Sequence, residues 1–290
     1  MKKIVGLLVV ALGVSFVQSA NAVEPKTIAI IDTAVDSNKI ANVVYEVCFT
    51  FNKTCQNKTG FQEGKGSAMV NDWTINGADH GFNMAQVAVQ ADPTIKIVFI
   101  RIADEKVYDT FSLIRNDGTS LDRAIDWVSK NASRFNISAV SISQSRSNFT
   151  AGTCPTDNIF SSSVLSLNLS KVPVFVATGN DSKKNQVGFP ACVPGVIGVG
   201  ALKPTTGVKP YPASAYTALA SYTNVGPGLD LVAKGDADVK AYGGWNITIT
   251  GTSVAAPIAA VLSTSKNNSK TFDEFLATLP KSAGYSYITK

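Results

Sequence analysis

Imidazole is nearly absent from this chain: among 290 residues there is one histidine, His80. Cysteine is scarce too, with four residues and no CxxC pair, so a zinc site has little to be built from. Beyond the first residues no stretch is apolar enough to span a bilayer, which takes about 20 residues. No Pro/Ser/Gly linker, low-complexity tract or repeat divides the chain, and one domain is expected rather than two. The formal charge is only +5, with two of those charges on Lys2 and Lys3, and the other basic residues are scattered rather than striped. Nucleic acid and anionic membranes are therefore not expected as partners. No G-x-S-x-G elbow occurs, which argues against the lipase and esterase kind of α/β hydrolase.

What is present begins with a leader. Met1-Lys2-Lys3 is basic, residues 4 to 17 are apolar and Ala20-Asn21-Ala22 is a small-x-small ending, the pattern of a secretory signal cleaved after Ala22. The expectation is a secreted or periplasmic protein, with residues 1–22 as signal and 23–290 as one domain. Export favours disulfides. Four cysteines allow three pairings; Cys48 and Cys55 enclose a short polar loop, and Cys154 and Cys192 each lie near proline. Cys48–Cys55 and Cys154–Cys192 are the predicted pairs, with free buried thiols as the alternative in a reducing compartment.

Thr27 to Ile31 is a continuous apolar run with β-branched residues, and it stops at Asp32. It reads as a strand buried on both faces with an acid at its C-terminal end, the edge where open α/β sheets build sites. Residues 36 to 47 read as a short helix and 56 to 79 as irregular. Asp79 to Val89 has a helix pattern with His80 in its first turn, and a lone imidazole is the natural neutral base if the protein uses one. Ile95 to Ile102 is a second strand, and Gly118 opens an amphipathic helix that points Leu121, Ile125, Trp127 and Val128 at the sheet. A strand at 137–143, a helix at 157–169 and a strand at 172–177 follow, the last ending at Thr178-Gly179-Asn180. This alternation predicts an α/β fold of three layers, a mostly parallel central sheet with helices on both faces.

The last third is mixed. Val196 to Val199 reads as a strand, Ala220 to Gly226 and Leu229 to Ala233 as paired extended segments, Val239 to Thr250 as a hairpin turning at Gly243-Gly244, and Thr271 to Leu279 as a helix. The hairpin delivers the chain to Gly251-Thr252-Ser253-Val254-Ala255-Ala256-Pro257, with Ser253 at a strand-to-helix junction. A helix start offers unpaired N–H groups and the positive end of the macrodipole to a developing oxyanion. Taken alone, the same position suits an ordinary capping serine.

Nucleophilic acyl transfer needs a hydroxyl, a base for its proton, an acid to orient that base and neutral donors for the oxyanion. Ser253, His80, Asp32 and Asn180 supply one of each. The segments IAIIDTAVD, DHGFNMAQVA, FVATGND, FPACVPGVIGVGA, SYTNVGPGLDLVAKG and GTSVAAPIAA resemble the subtilisin-like serine peptidases, or subtilases, in that family's order and over about residues 27 to 265. The resemblance implies the subtilisin-like fold and a serine endopeptidase. It makes Ser253 the nucleophile, His80 the general base, Asp32 the residue that orients the imidazole, and Asn180 a donor of the oxyanion hole. It places Ser143, Gln144 and Ser145, with Thr178 and Gly179, along the substrate.

Departures from the family pattern are also present. Phe82, Asn83 and Met84 follow the His-Gly pair, Val254 stands where methionine is usual, and Gln144-Ser145-Arg146 replaces a more typical Leu-Gly-Gly. A side chain at 145 is expected to narrow the pocket for the residue before the cut. Only Val23 to Lys26 separates the predicted cleavage point from the first strand, so a separate folding or inhibitory partner stands beside unaided folding as an expectation. No cofactor is expected; structural calcium is frequent in the family, and no acidic cluster is dense enough to assign it. The expected partner is a protein or peptide substrate. The alternative is a catalytically weak or inactive peptide-binding protein on the same scaffold.

Overall fold

Alternate residues of the first strand, Thr27–Asp32 (β1), belong to opposite cores. Ile28 and Ile30 face one, Ala29 and Ile31 the other, and none of the four has exposed surface. A strand buried on both sides needs cover on both sides, and each such side chain withdrawn from water contributes about 1.5 to 3 kcal/mol for the larger aliphatics. The computed structural model describes residues 25–105, 119–150, 154, 158–266 and 272–289. The leader at 1–22 and the predicted helix start at Gly118 lie outside the described residues.

After β1 come the strands Val43–Phe49 (β2) and Phe61–Glu63 (β3), then the helix His80–Ala91 (α1) and the strand Lys96–Arg101 (β4). Helix Thr119–Asn131 (α2), strands Ile137–Ile142 (β5) and Arg146–Thr150 (β6), helix Ile159–Leu169 (α3) and strand Val174–Ala177 (β7) follow. Next are strands Val187–Phe189 (β8), Ile197–Pro204 (β9), Tyr216–Leu219 (β10), Leu231–Lys234 (β11), Asp236–Lys240 (β12) and Asn246–Thr250 (β13). Helices Thr252–Lys266 (α4) and Phe272–Thr278 (α5) and strands Lys281–Ser282 (β14) and Tyr285–Tyr287 (β15) complete the described chain.

The main sheet runs β14-β15-β11-β9-β7-β5-β1-β4-β2-β3, with β10 added to β9. Every pairing from β2 through β4, β1, β5, β7, β9 and β11 to β15 is parallel; β3, β10 and β14 attach antiparallel. Helices α2 and α3 pack on one face, where Leu121, Ile125, Val128, Phe160 and Val164 meet Ala29, Ile31, Val140 and Val176. Helices α1 and α4 cover the other, where Phe82, Ala85 and Ala88 join Ala255, Ala256, Ala259 and Ala260 against Ile30, Phe99 and Phe175. The small face of α4 lets it lie close over β5, β7, β9 and β11, which carries its first turn to the strand ends. The expected three-layer α/β fold is the one found, and the two predicted disulfides are the pairs formed, with Cα separations of 5.9 and 5.2 Å.

Two local expectations give way. The segment expected as a helix over 36–47 is instead a turn followed by β2, because Val43, Val44, Tyr45 and Val47 favour extended backbone and β4 offers a parallel edge. Ala220–Gly226 and Leu229–Ala233 do not pair with each other. The strand in the second, β11, lies between β9 and β15, and the first segment is a turn that serves the site described below. The hairpin β12–β13 and helix α5 fall where expected.

At the end of β4, Arg101 is fully buried and gathers three loops. Its Nε donates to the Ala103 carbonyl at 3.0 Å, Nη1 to the Met69 carbonyl, and Nη2 to Thr54 Oγ1 at 3.3 Å and Glu105 Oε1 at 3.2 Å. Burial pulls the pKa of the guanidinium below its ordinary value, against the charges of Glu105 and Asp104. No helix among the described residues is long and apolar enough to cross a membrane.

Candidate active site

The C-terminal end of β1 and the N-terminal end of α1 are stitched together by one hydroxyl. Thr33 Oγ1 accepts the Gly81 N–H at 2.8 Å and donates to the Ala78 carbonyl at 3.0 Å. Gly81 makes this approach possible: a Cβ there would lie 2.6 Å from the Phe99 ring and 2.7 Å from the Ala34 carbonyl oxygen. The result sets His80 Nδ1 2.7 Å from Asp32 Oδ1. Asp32 has no exposed surface, whereas the His80 side chain is 31% exposed. Asp32 Oδ1 also accepts the Thr33 N–H at 2.7 Å and the Gln144 side-chain N–H at 2.8 Å, and Oδ2 has no partner among the described residues. Desolvation pulls the pKa of His80 down, but the charge and hydrogen bond of Asp32, helped by Asp79, outweigh it and hold it above the ordinary 6.5.

Ser253 occupies the first turn of α4, just after Gly251, whose φ of +153° suits glycine. Pro257 lies four residues further on and has no N–H, so the Ser253 carbonyl lacks its helical donor. Ser143 fills the gap, donating from Oγ at 2.9 Å. The Ser253 hydroxyl in turn donates to the Ser143 carbonyl at 3.2 Å, and it makes no hydrogen bond to His80.

The third component hangs from the same helix start. Asn180 Oδ1 accepts both the N–H and the hydroxyl of Thr252 at 2.9 Å, which leaves its amide N–H2 without a partner among the described residues. Thr252 Oγ1 also accepts the Gly179 N–H at 3.1 Å. Behind this loop, buried Asn224 accepts from the N–H groups of Asp181 and Lys183 at 2.9 and 3.0 Å and donates to the Thr178 carbonyl at 3.1 Å. Gly179, at φ +102°, has no room for a side chain, because a Cβ would stand 2.4 Å from Asn224 Nδ2.

Asp32, His80, Ser253 and Asn180 therefore gather at the C-terminal end of the central parallel strands. Of the residues expected along the substrate, Ser145 is exposed, while Ser143 and Thr178 are buried and turned to the Ser253 and Val199 carbonyls. Gln144 turns its side chain onto the Asp32–His80 pair. Thr33, Thr252 and Asn224 were not singled out in the sequence; each is a short polar side chain beside a site residue or in a conspicuous block, the only signal available. Among the described residues no three histidine, cysteine or acidic side chains gather as a metal-binding group.

Comparison with solved structures agrees with this architecture. A protease from Pseudoalteromonas arctica superposes with a TM-score of 0.63 at 18% identity, over 90% of this chain and 85% of that one. The nisin leader peptidase NisP from Lactococcus lactis gives 0.61 at 14% identity, over 91% and 85%. A psychrophilic protease gives 0.60 at 18%, over 91% of each chain. At such identities the likeness speaks for the fold. No curated protein matches the chain. The model of the subtilase family, however, matches residues 25–286, and the chain therefore belongs to the subtilases, serine proteases that hydrolyse peptide bonds.

Proposed function

We propose that this subtilase is an exported endopeptidase that works through an acyl-enzyme on Ser253, with His80 as base, Asp32 as its orienting partner and Asn180 as an oxyanion donor. The 2.7 Å bond from His80 Nδ1 to the buried Asp32 carboxylate carries the reading, because it leaves Nε2 as the basic nitrogen. Ser253 Oγ exchanges the Ser143 carbonyl for His80 Nε2, gives up its proton there and attacks the substrate carbonyl carbon. The oxyanion takes N–H bonds from the Asn180 side chain and the Ser253 backbone, and His80 returns the proton to the leaving amine. Water then loses a proton to His80, attacks the ester and releases the acid, and Ser253 recovers its proton.

No cofactor enters these steps. Ser145, exposed at the mouth of the site, is proposed to narrow the pocket before the scissile bond, so that peptides with small residues there turn over fastest. The leader pattern and the two disulfides support export.

A second reading is a peptide binder with little turnover, favoured by the Ser253 hydroxyl resting on Ser143 rather than on His80. Apo hydrogen bonds of this kind often form only with substrate in place. Steady-state hydrolysis of a peptide series varying the residue before the cut separates the readings. The proposal expects turnover that Ser253→Ala abolishes with the fold intact; a wild-type protein that binds but never cleaves these peptides supports the binder.

A further inference from the structure

Asp32 Oδ1 is a crowded atom. It accepts from Thr33 N–H at 2.7 Å, from His80 Nδ1 at 2.7 Å and from Gln144 Nε2 at 2.8 Å. Gln144 Nε2 also stands 3.2 Å from His80 Nδ1. When Nδ1 carries its proton toward Asp32 it cannot accept another, so these two nitrogens are neighbouring donors and not a hydrogen-bonded pair. The amide orientation follows from the same chemistry, since its oxygen in that place would face the carboxylate oxygen at hydrogen-bond distance.

We propose that Gln144 is a positioning residue that shares Asp32 Oδ1 with His80, fixes the carboxylate and makes the imidazole less basic than Asp32 alone would leave it. A donor to a carboxylate draws on the charge that holds an imidazolium, and a second N–H dipole beside Nδ1 opposes the extra proton. Among the described residues the charges acting on His80 are Asp32 at the end of β1 and Asp79 before α1. β5 and α4 lead into the site with the uncharged Gln144 and Ser253. Without the amide the protonated, idle form of His80 would persist to higher pH. Gln144 thus extends activity toward acid, an inference that rests on His80 being the base proposed above.

The test uses the fact that His80 is the only histidine, so its imidazole NMR signals need no assignment. Full-length protein carrying Ser253→Ala is titrated with Gln144, with Gln144→Met, which keeps length but removes the donor, and with Gln144→Glu, which adds a charge. The midpoint of His80 should rise by about half to one pH unit in Gln144→Met, and further in Gln144→Glu. In the active enzyme the acid limb of kcat/KM should move by the same amount. A midpoint that is unchanged or lower in folded Gln144→Met overturns the role of Gln144, whatever the added charge does in Gln144→Glu. A midpoint that moves while the acid limb of the rate stays put overturns His80 as base and leaves the shared carboxylate standing.

Discussion

The hydroxyl of Ser143 donates to the main-chain carbonyl of Ser253 at 2.9 Å, and the hydroxyl of Ser253 returns a bond to the carbonyl of Ser143 at 3.2 Å. The first bond substitutes for the one that Pro257 cannot make. Ser143→Ala should leave the Ser253 carbonyl unpaired in a mostly buried turn and cost about 1 to 3 kcal/mol of stability. Chemical denaturation of the Ser253→Ala protein with and without Ser143→Ala measures this without self-digestion.

Thr252 holds Asn180 by two bonds to one oxygen. Asn180→Ala should lower kcat about 100- to 1,000-fold with little change in KM, the loss expected for one oxyanion donor. Thr252→Val keeps the backbone N–H and removes only the hydroxyl, so it should cost clearly less, roughly tenfold in kcat. Steady-state kinetics on one peptide orders the two; an equal loss would mean that the hydroxyl alone sets the Asn180 amide.

His80 should make activity and stability move in opposite directions with pH. Its pKa in the folded protein lies above 6.5, because Asp32 outweighs desolvation, so kcat/KM should rise through a midpoint above that value as the imidazole becomes neutral. The folded state binds the proton more tightly than the unfolded chain. The stabilisation it brings is complete below about 6.5 and is lost as pH rises through the folded value. The pH dependence of unfolding in Ser253→Ala, compared with the same protein carrying His80→Gln, isolates this term.

Arg101 is the strand neighbour of Asp32 but turns its guanidinium onto three loops, so it should matter for stability rather than for the titration of His80. Its removal leaves the Met69 and Ala103 carbonyls and the Glu105 carboxylate short of a donor. Arg101→Ala should cost about 3 to 5 kcal/mol, the range for breaking a buried ion pair, read from the denaturant midpoint. Residual folded enzyme should keep its pH profile.

Much of this was legible before the structure. Thr27 to Ile31 reads as a doubly buried strand because all its residues are apolar or β-branched, and the strand ends with Asp32 as its continuous pattern required. At β2 the sequence is ambiguous: a short apolar run fits helix and strand alike, and only the free edge of β4 decides between them. The turn at 220–226 looks extended in sequence for a related reason: its purpose is tertiary, since Asn224 braces the loop that carries Asn180. Asp32, His80, Asn180 and Ser253 stand out at element ends as a set, together with the family resemblance; alone, Ser253 reads equally well as a helix cap. Gln144 did not, because nothing in a sequence tells whether a side chain beside a cleft faces the substrate or the Asp32 carboxylate behind it.

The central claim is that His80, Asp32 and Asn180 together make the Ser253 hydroxyl a nucleophile. Reaction with a fluorophosphonate, followed by intact mass and peptide mapping, tests it most directly. The account predicts one adduct per chain, on Ser253, formed faster as pH rises past the His80 midpoint and abolished by His80→Ala or Ser253→Ala. Folded wild-type protein that stays unlabelled, or that labels equally fast with His80→Ala, would contradict it.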